Sequence, residues 1–406
     1  MSRTPRVETG LERLLGMPEL VRGRRWALLA NHAAVTAGLD PARVAMRDAG
    51  CGTPALLLAP EHGLDGVAQD MESVGDARDP VTDVPVRSLY GTDVASLAPS
   101  DGDLDGLDVA VVDVPDIGTR YYTFAASVDA TMAVCARRGV EVVVLDRPNP
   151  IGGVARTGGM VRPGFGSFVS QLPTPVRHGL TLGELALLLQ RERYPDLELT
   201  VVTCQGWARD AWWDATGLPW VPPSPNMPTL DTAALYPGLC LVEATTLSEG
   251  RGTTRPFHLV GAPWVEPERL VAALRGLELE GIGFRPARFR PEFQKHAGRV
   301  CGGVELHILE REGFDPLQLG LELLRAFHDH DPERFEWRPD PYEFVADVPA
   351  LDLLTGSAEA RRVVEAGEPL EPLLAGWADE VTAFEESLDG VLLYPAPRSD
   401  ELSHRP

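Results

Sequence analysis

Glu61 and His62 occupy the position in this sequence where side-chain chemistry is most expected. They follow an apolar run, residues 55–59, for which a buried strand is predicted. In open α/β sheets, ligands bind in the crevice at the carboxyl ends of the strands. A carboxyl group at that place can exchange a proton with a bound substrate. We therefore predict that Glu61 is a catalytic residue.

A second carboxyl group is the natural partner for Glu61. Glycosidases commonly use two, about 5–9.5 Å apart, one as general acid and the other as nucleophile or base. We predict Asp116 and Glu249 as further catalytic residues. Asp113, Asp146 and Glu243 are alternatives. Some enzymes that act on 2-acetamido sugars use the amide of the substrate instead, so the sequence leaves retaining, inverting and substrate-assisted mechanisms open.

Residues 116–123, Asp-Ile-Gly-Thr-Arg-Tyr-Tyr-Thr, combine an anion-binding group with aromatic rings at the predicted start of a helix. Helix N-termini favour anions, an arginine can hold a carboxylate through two hydrogen bonds, and tyrosines stack on sugars. The alternative is a surface Asp116–Arg120 pair beside core tyrosines. We predict that Arg120, Tyr121 and Tyr122 contact the substrate.

Two further segments carry polar side chains that are suited to binding. Residues 146–153 form a rigid turn rich in proline and glycine, for which an internal Asp146–Arg147 pair is an equal alternative to ligand contact. Residues 248–254 form a glycine-rich loop that we expect to close over the site. The remaining predicted substrate-binding residues are Asn31, His62, Asp146, Arg147, Asn149, Asn226 and Arg251.

Apolar strands and amphipathic helices must position these side chains. Strands are predicted at residues 25–30, 54–59, 107–114, 141–145 and 197–204, with helices at 41–50, 122–138 and 181–193. Such alternation indicates a mainly parallel, Rossmann-like sheet. Polar residues follow the first four strands, so we expect them to meet at one edge of the sheet.

The character of the chain changes after about residue 236. We predict a Rossmann-like catalytic domain, residues 1–240, and a smaller C-terminal α+β domain, residues 241–406, that closes the active-site cleft. Strands at 240–244 and 304–309, helices at 316–328 and 370–388, and turns at the glycine pairs 158–159 and 302–303 complete the prediction.

Composition excludes several classes of function. The formal net charge of −23 argues against partners that need a positive face, so we expect neither nucleic-acid nor membrane binding. The five cysteines are widely spaced, which favours buried free thiols. The histidines are scattered without HExxH, and GxGxxG is absent, so we expect no metal and no cofactor. With no apolar segment of membrane-spanning length and no signal-like N-terminus, we expect a cytoplasmic protein.

Eight strings resemble those of one family in type and order. They lie at residues 60–64, 88–91, 116–123, 146–150, 177–179, 222–229, 248–253 and 256–257. Their pattern is similar to that of the NamZ-like exo-β-N-acetylmuramidase family. The resemblance implies an exo-acting glycoside hydrolase that releases terminal N-acetylmuramic acid from the non-reducing end of peptidoglycan fragments. It also implies that Glu61 is the catalytic carboxylate.

Two other functions remain as alternatives. In the first, the chain is a non-catalytic protein that binds muropeptides or sugars. In the second, it is a hydrolase of another anionic or 2-acetamido sugar. The expected partners are peptidoglycan-derived saccharides or muropeptides. The sequence does not indicate an oligomeric state.

Overall fold

The computed structural model describes residues 6–395, which contacts divide into two compact units. Of the described residues, the first unit contains 6–155, 178–225 and 386–395, and the second consists of Arg156–Arg177 and Asn226–Glu385. The chain therefore leaves the first unit and returns to it. The predicted domain division at residue 240 stays a prediction.

A seven-stranded sheet forms the centre of the first unit. Its strands are β1 (Trp26–Ala30), β2 (Leu56–Ala59), β3 (Ala77–Arg78), β4 (Pro85–Ser88), β5 (Val109–Asp113), β6 (Glu141–Leu145) and β7 (Leu199–Val202). The spatial order is β3-β4-β2-β1-β5-β6-β7, and every pairing is parallel except that of β3 with β4. The predicted α/β class with a mainly parallel sheet is confirmed.

Helices precede and connect these strands. They are α1 (Gly10–Leu15), α2 (Ala42–Met46), α3 (Thr123–Arg138) and α4 (Leu182–Arg193). Thr181 caps α4 through a capping box with Glu184, for which the sequence pattern is a threonine three residues before a glutamate. Gly139, with a φ of 66°, ends α3 in the left-handed conformation that glycine adopts without steric cost.

The sheet collects polar residues along one edge. Every residue of β1 and β5 is buried, as expected for central parallel strands covered on both faces. Their register runs from Trp26 opposite Val109 to Ala30 opposite Asp113. Because the parallel strands share a direction, the polar residues at or just after their carboxyl ends lie along the same edge; these are Asn31, Glu61, Asp113 and Asp146.

The second unit contains a three-stranded antiparallel sheet and six helices among the residues described. Its strands are β8 (Leu259–Ala262), β9 (Ile282–Phe289) and β10 (Cys301–Ile308), in the order β8-β10-β9. Its helices are α5 (Leu230–Leu239), α6 (Pro267–Arg275), α7 (Pro316–His330), α8 (Ala350–Thr355), α9 (Glu359–Ala366) and α10 (Glu371–Glu386).

Two local predictions in this unit are wrong. Residues 240–244 form a 3₁₀ turn that continues α5, because a short apolar run does not distinguish a buried strand from a buried helix. Gly302 and Gly303 lie inside β10 rather than in a turn. A Cβ on Gly303 would lie 1.9 Å from the Val260 carbonyl oxygen, so the glycine permits the close approach of β8.

The state of the cysteines agrees with the sequence expectation. All five cysteines fall within the described residues, where they are buried and outside any disulfide. Within residues 6–395, no helix is both long and apolar enough to cross a membrane.

Candidate active site

Glu61 follows β2 with its carboxyl group held at the edge of the sheet. The residue is 5% exposed. Thr123 Oγ1, in the first residue of α3, lies 2.6 Å from Glu61 Oε2, and the Met71 backbone N–H donates to Oε1 at 3.3 Å. A threonine hydroxyl can donate to a carboxylate or accept from a carboxylic acid. The site therefore accommodates both protonation states that an acid–base residue passes through.

His62 holds the turn that presents Glu61. Its φ is 70°, in the left-handed region, which costs a non-glycine residue about 1–2 kcal/mol. Because a carbonyl oxygen only accepts, His62 Nδ1 donates to the Ala68 oxygen at 3.0 Å. The ring also meets Phe124 edge-on, with centroids 6.3 Å apart. These contacts fix the loop after β2.

Asp70 lies in the same loop and escaped the sequence prediction. One of its carboxylate oxygens is within 4.8 Å of a carboxylate oxygen of Glu61, and the side chain is half-buried. The neighbouring Met71 has a φ of 57°, a left-handed conformation that turns the chain back toward Glu61. The signal in the sequence that could have identified Asp70 is its position as an acidic residue in the loop after β2.

Asp116 occupies the turn after β5 and is suited to carry a proton near neutrality. Gly118 N–H donates to its Oδ2 at 2.7 Å, and His178 Nε2 lies 3.6 Å from the same oxygen. His178 Nδ1 accepts from Leu180 N–H at 3.1 Å, so the proton of the neutral ring lies on Nε2. Burial raises the pKa of Asp116 to about 7. Asp116 also lines a cleft with Trp213.

Arg120, Tyr121 and Tyr122 lie between Asp116 and α3 in the interior of the first unit. Arg120 is fully buried, and the two tyrosines are 2% and 5% exposed. The Tyr122 ring packs on Phe124 with centroids 4.8 Å apart. The prediction that these three side chains contact substrate stays a prediction.

The turn after β6 is held by hydrogen bonds within the first unit. Asp146 accepts from Thr181 Oγ1 at 2.7 Å, Gly183 N–H at 2.8 Å and Tyr394 OH at 2.5 Å. The alternative internal Asp146–Arg147 side-chain pair does not form. Arg147 instead binds the Asp113 carboxylate through two hydrogen bonds of 2.6 and 3.0 Å.

Two asparagines that were predicted to contact substrate bind backbone oxygens within the first unit. Asn31 Nδ2 donates to the Pro223 oxygen at 3.0 Å, and Asn149 Nδ2 donates to the Leu180 oxygen at 2.9 Å. These bonds favour a structural role for Asn31, Asn149, Asp146 and Arg147, whose substrate contact stays a prediction.

In the second unit, Glu249 is held as a carboxylate. Its Oε2 lies 3.0 Å from Lys295 Nζ and its Oε1 lies 3.2 Å from Arg251 Nε. Burial opposes ionisation, but the charges of Lys295 and Arg251 outweigh it and lower the pKa of Glu249. Glu249 is therefore poorly suited to act as a general acid.

Arg251 lies between two carboxylates. Its Nη2 donates to Glu243 Oε1 at 2.5 Å, and its guanidinium carbon is 5.0 Å from the Phe257 ring centroid. Tyr342 OH donates to Glu243 Oε2 at 2.9 Å. The charge of Arg251 is thus balanced within the second unit. Asn226, which begins the second segment of this unit, is buried, and its substrate contact stays a prediction.

Comparisons with known proteins cover nearly the whole chain. Residues 26–231 match the family model described as exo-β-N-acetylmuramidase NamZ, N-terminal, and residues 234–394 match its C-terminal counterpart. The peptidoglycan β-N-acetylmuramidase NamZ of Bacillus subtilis strain 168 is 36% identical over 394 residues, which are 97% of this chain and 92% of that protein.

Two solved structures share the fold. Both are DUF1343 family proteins of Bacteroides fragilis NCTC 9343. One has a TM-score of 0.86 at 32% identity and covers 96% of this chain and 99% of its own. The other has a TM-score of 0.76 at 28% identity and covers 97% and 100%. On these matches, the chain belongs to the exo-β-N-acetylmuramidase NamZ family.

Proposed function

We propose that this protein is an exo-acting glycoside hydrolase that removes terminal N-acetylmuramic acid from the non-reducing end of peptidoglycan fragments. The observation that carries the proposal is the Glu61 carboxyl group at the carboxyl edge of the parallel sheet, in a chain of the NamZ family. The Bacillus subtilis relative bears the name of a peptidoglycan β-N-acetylmuramidase, which supports the reaction class.

Glu61 is the proton donor for the leaving oxygen in this proposal. Its side chain is buried, and it lies just after β2. The Thr123 hydroxyl can form a hydrogen bond with the Glu61 carboxyl group in either its ionised or its protonated form. A fixed general acid contributes about 10²–10⁴-fold to rate. Glu249 is kept ionised by its two cationic neighbours and cannot replace Glu61 in this role.

The lactyl carboxylate of the sugar needs a cationic or hydrogen-bonding partner. Arg120 and Arg251 are the predicted candidates. Arg251 is flanked by Glu243 and Glu249, and Arg120 is fully buried in the first unit, so we assign the lactyl group to these two arginines without choosing between them. This assignment implies a higher kcat/KM for a β-N-acetylmuramide than for the matching β-N-acetylglucosaminide, which lacks the lactyl group.

The test is hydrolysis of 4-nitrophenyl β-N-acetylmuramide by the wild type and by Glu61→Gln. We expect cleavage by the wild type and a loss of roughly 10² or more in kcat for the variant, with an unchanged melting temperature. The matched control is Asp65→Asn, an exposed acidic residue of the same loop, which should keep full activity.

Three results would count against the proposal. Near-normal turnover by Glu61→Gln would remove Glu61 from the reaction. Calorimetric binding of muropeptides by the wild type, with no product after hours of incubation, would favour a binding protein. Preference for the glucosaminide would point to a different sugar.

A further inference from the structure

We propose that Asp70 is the second catalytic carboxylate, acting as the nucleophile, and that hydrolysis retains the configuration at the anomeric carbon. The inference rests on the proposed function and names the group that the family match leaves unassigned. It follows from the distance between Asp70 and Glu61, from the way their loop is held, and from the contacts of the competing acidic residues.

The separation of the two carboxyl groups decides the stereochemical class. The nearest oxygens of Glu61 and Asp70 are within 4.8 Å. Retaining glycosidases place their two carboxyl groups about 5–5.5 Å apart, whereas inverting enzymes need about 6.5–9.5 Å to admit a water molecule between carboxylate and sugar. The approach of the two oxygens within 4.8 Å agrees better with the shorter of these separations, so the pair fits a double displacement.

Hydrogen bonds on both sides of Asp70 hold the backbone of its loop near Glu61. Ala68 accepts from the His62 ring at 3.0 Å, and Met71 N–H donates to Glu61 Oε1 at 3.3 Å. The backbone of Gln69 is closed into a turn with Glu72, whose Oε2 accepts from Gln69 N–H at 2.8 Å. The loop is therefore tied directly to the catalytic residue and to its neighbour in sequence.

The other acidic candidates have contacts that suit them less. Glu249 belongs to the second unit and is bound by Lys295 and Arg251. Asp116 is almost completely buried and accepts from Gly118 N–H, in a place that favours its neutral form. A nucleophile must be ionised and reachable by the sugar. Asp70 is half-buried, and it approaches the proton donor directly.

The proposed reaction has two steps. In the first, an oxygen of Asp70 attacks the anomeric carbon from the α face while the β-glycosidic C–O bond breaks and the leaving oxygen takes the proton of Glu61. In the second, Glu61 takes a proton from water, the water oxygen attacks the same carbon from the β face, and the bond to Asp70 breaks. Both carboxyl groups return to their initial states, and the products are the aglycone and β-N-acetylmuramic acid.

The first experiment follows the anomer released by the wild type. Proton NMR during the first minutes of 4-nitrophenyl β-N-acetylmuramide hydrolysis should show the β-anomer appearing before mutarotation produces the α-anomer. Initial appearance of the α-anomer would establish inversion and overturn the inference. It would leave the proposed function intact, because cleavage itself would have occurred.

The second experiment uses azide to identify which residue attacks. Asp70→Ala should lose at least 10²-fold in kcat, and added azide should restore turnover by filling the space left by the carboxylate, giving the α-glycosyl azide. Glu61→Ala with azide should instead give the β-glycosyl azide, because azide then attacks the sugar bound to Asp70. Asp65→Ala, in the same loop, serves as the matched control and should behave as the wild type.

Several outcomes of this second experiment would contradict the role of Asp70. These are normal activity of Asp70→Ala, formation of the β-azide by that variant, or failure of azide to restore its turnover. Asp70→Asn, which preserves the shape of the side chain, checks that any loss is not a folding defect: it should be equally inactive with an unchanged melting temperature. Loss of wild-type activity on dialysis against EDTA would also overturn the inference, because a cation bound by both carboxylates would occupy the oxygens that must react.

Discussion

Burial controls the protonation of Asp116 in the turn after β5. Its pKa rises to about 7 from an ordinary value of 3.8 because water is excluded from the carboxyl group. Between about pH 4 and 7, the folded protein therefore holds a proton at Asp116 that the unfolded chain has lost. The folded state binds more protons than the unfolded state, so the free energy of unfolding must fall as the pH rises through this range.

The substitution Asp116→Asn isolates this effect. Asparagine can still accept from Gly118 N–H but does not titrate. We expect the free energy of unfolding of the wild type, relative to that of the variant, to fall by up to about 1.4 kcal/mol per pH unit between pH 4 and 7. Urea denaturation measures this difference in the free energy of unfolding. Both proteins are denatured at four pH values, spaced evenly across this range and just above it. A constant difference across the range would show that Asp116 keeps an ordinary pKa.

At the residue scale, the sequence located Glu61 but not Asp70. A carboxylate after an apolar run is a local pattern that can be recognised without coordinates. Asp70 approaches Glu61 because Met71 turns the chain in the left-handed region and donates to the Glu61 carboxylate. No local propensity of methionine indicates that conformation, since it is rare for residues other than glycine, asparagine and aspartate.

At the element scale, two helices of the second unit cross at a pair of glycines. A Cβ on Gly320 of α7 would lie 2.3 Å from the carbonyl oxygen of Gly238 in α5, and one on Gly238 would lie 1.7 Å from the Pro316 oxygen. Neither oxygen can move freely, because both belong to backbone. The helices therefore pack at a distance that only glycine allows.

We expect Gly320→Ala to destabilise the protein by about 1–3 kcal/mol, through overpacking at this crossing. The matched control is Gly376→Ala in α10. A Cβ on that exposed glycine would have no atom within 4 Å, so alanine should stabilise the helix by roughly 0.5–1 kcal/mol. Thermal unfolding of the two variants should shift the melting temperature in opposite directions. An unchanged melting temperature for Gly320→Ala would show that the two helices can move apart without loss of stability.

At the scale of the whole molecule, the end of the described chain returns to the first unit. Tyr394 OH donates to Asp146 Oδ2 at 2.5 Å and accepts from Cys204 N–H at 2.9 Å. Leu393 N–H donates to Glu184 Oε1 at 2.8 Å. A segment matched by the C-terminal family model is thus bound to the edge of the N-terminal sheet.

Tyr394→Phe tests how much this return contributes to stability. Removal of the hydroxyl leaves the buried Cys204 N–H without its acceptor, which costs about 1–3 kcal/mol. We expect a lower melting temperature, read from the fluorescence of the tryptophans. Leu392→Ala, an exposed residue of the same segment, should have no comparable effect. Equal melting temperatures for Tyr394→Phe and the wild type would show that the bond contributes nothing net.

Local patterns in the sequence determined the parallel sheet, the capping box of α4 and the place of Glu61. Each depends on residues close together in the chain: apolar runs of about five residues, a threonine three positions before a glutamate, or a polar residue after a strand. Tertiary structure alone decided the partners of the polar side chains. Arg147 binds Asp113 rather than its neighbour, and Asp146 binds a tyrosine 248 residues away. Such pairings depend on which loops meet in space, and so does the approach of Asp70 to Glu61.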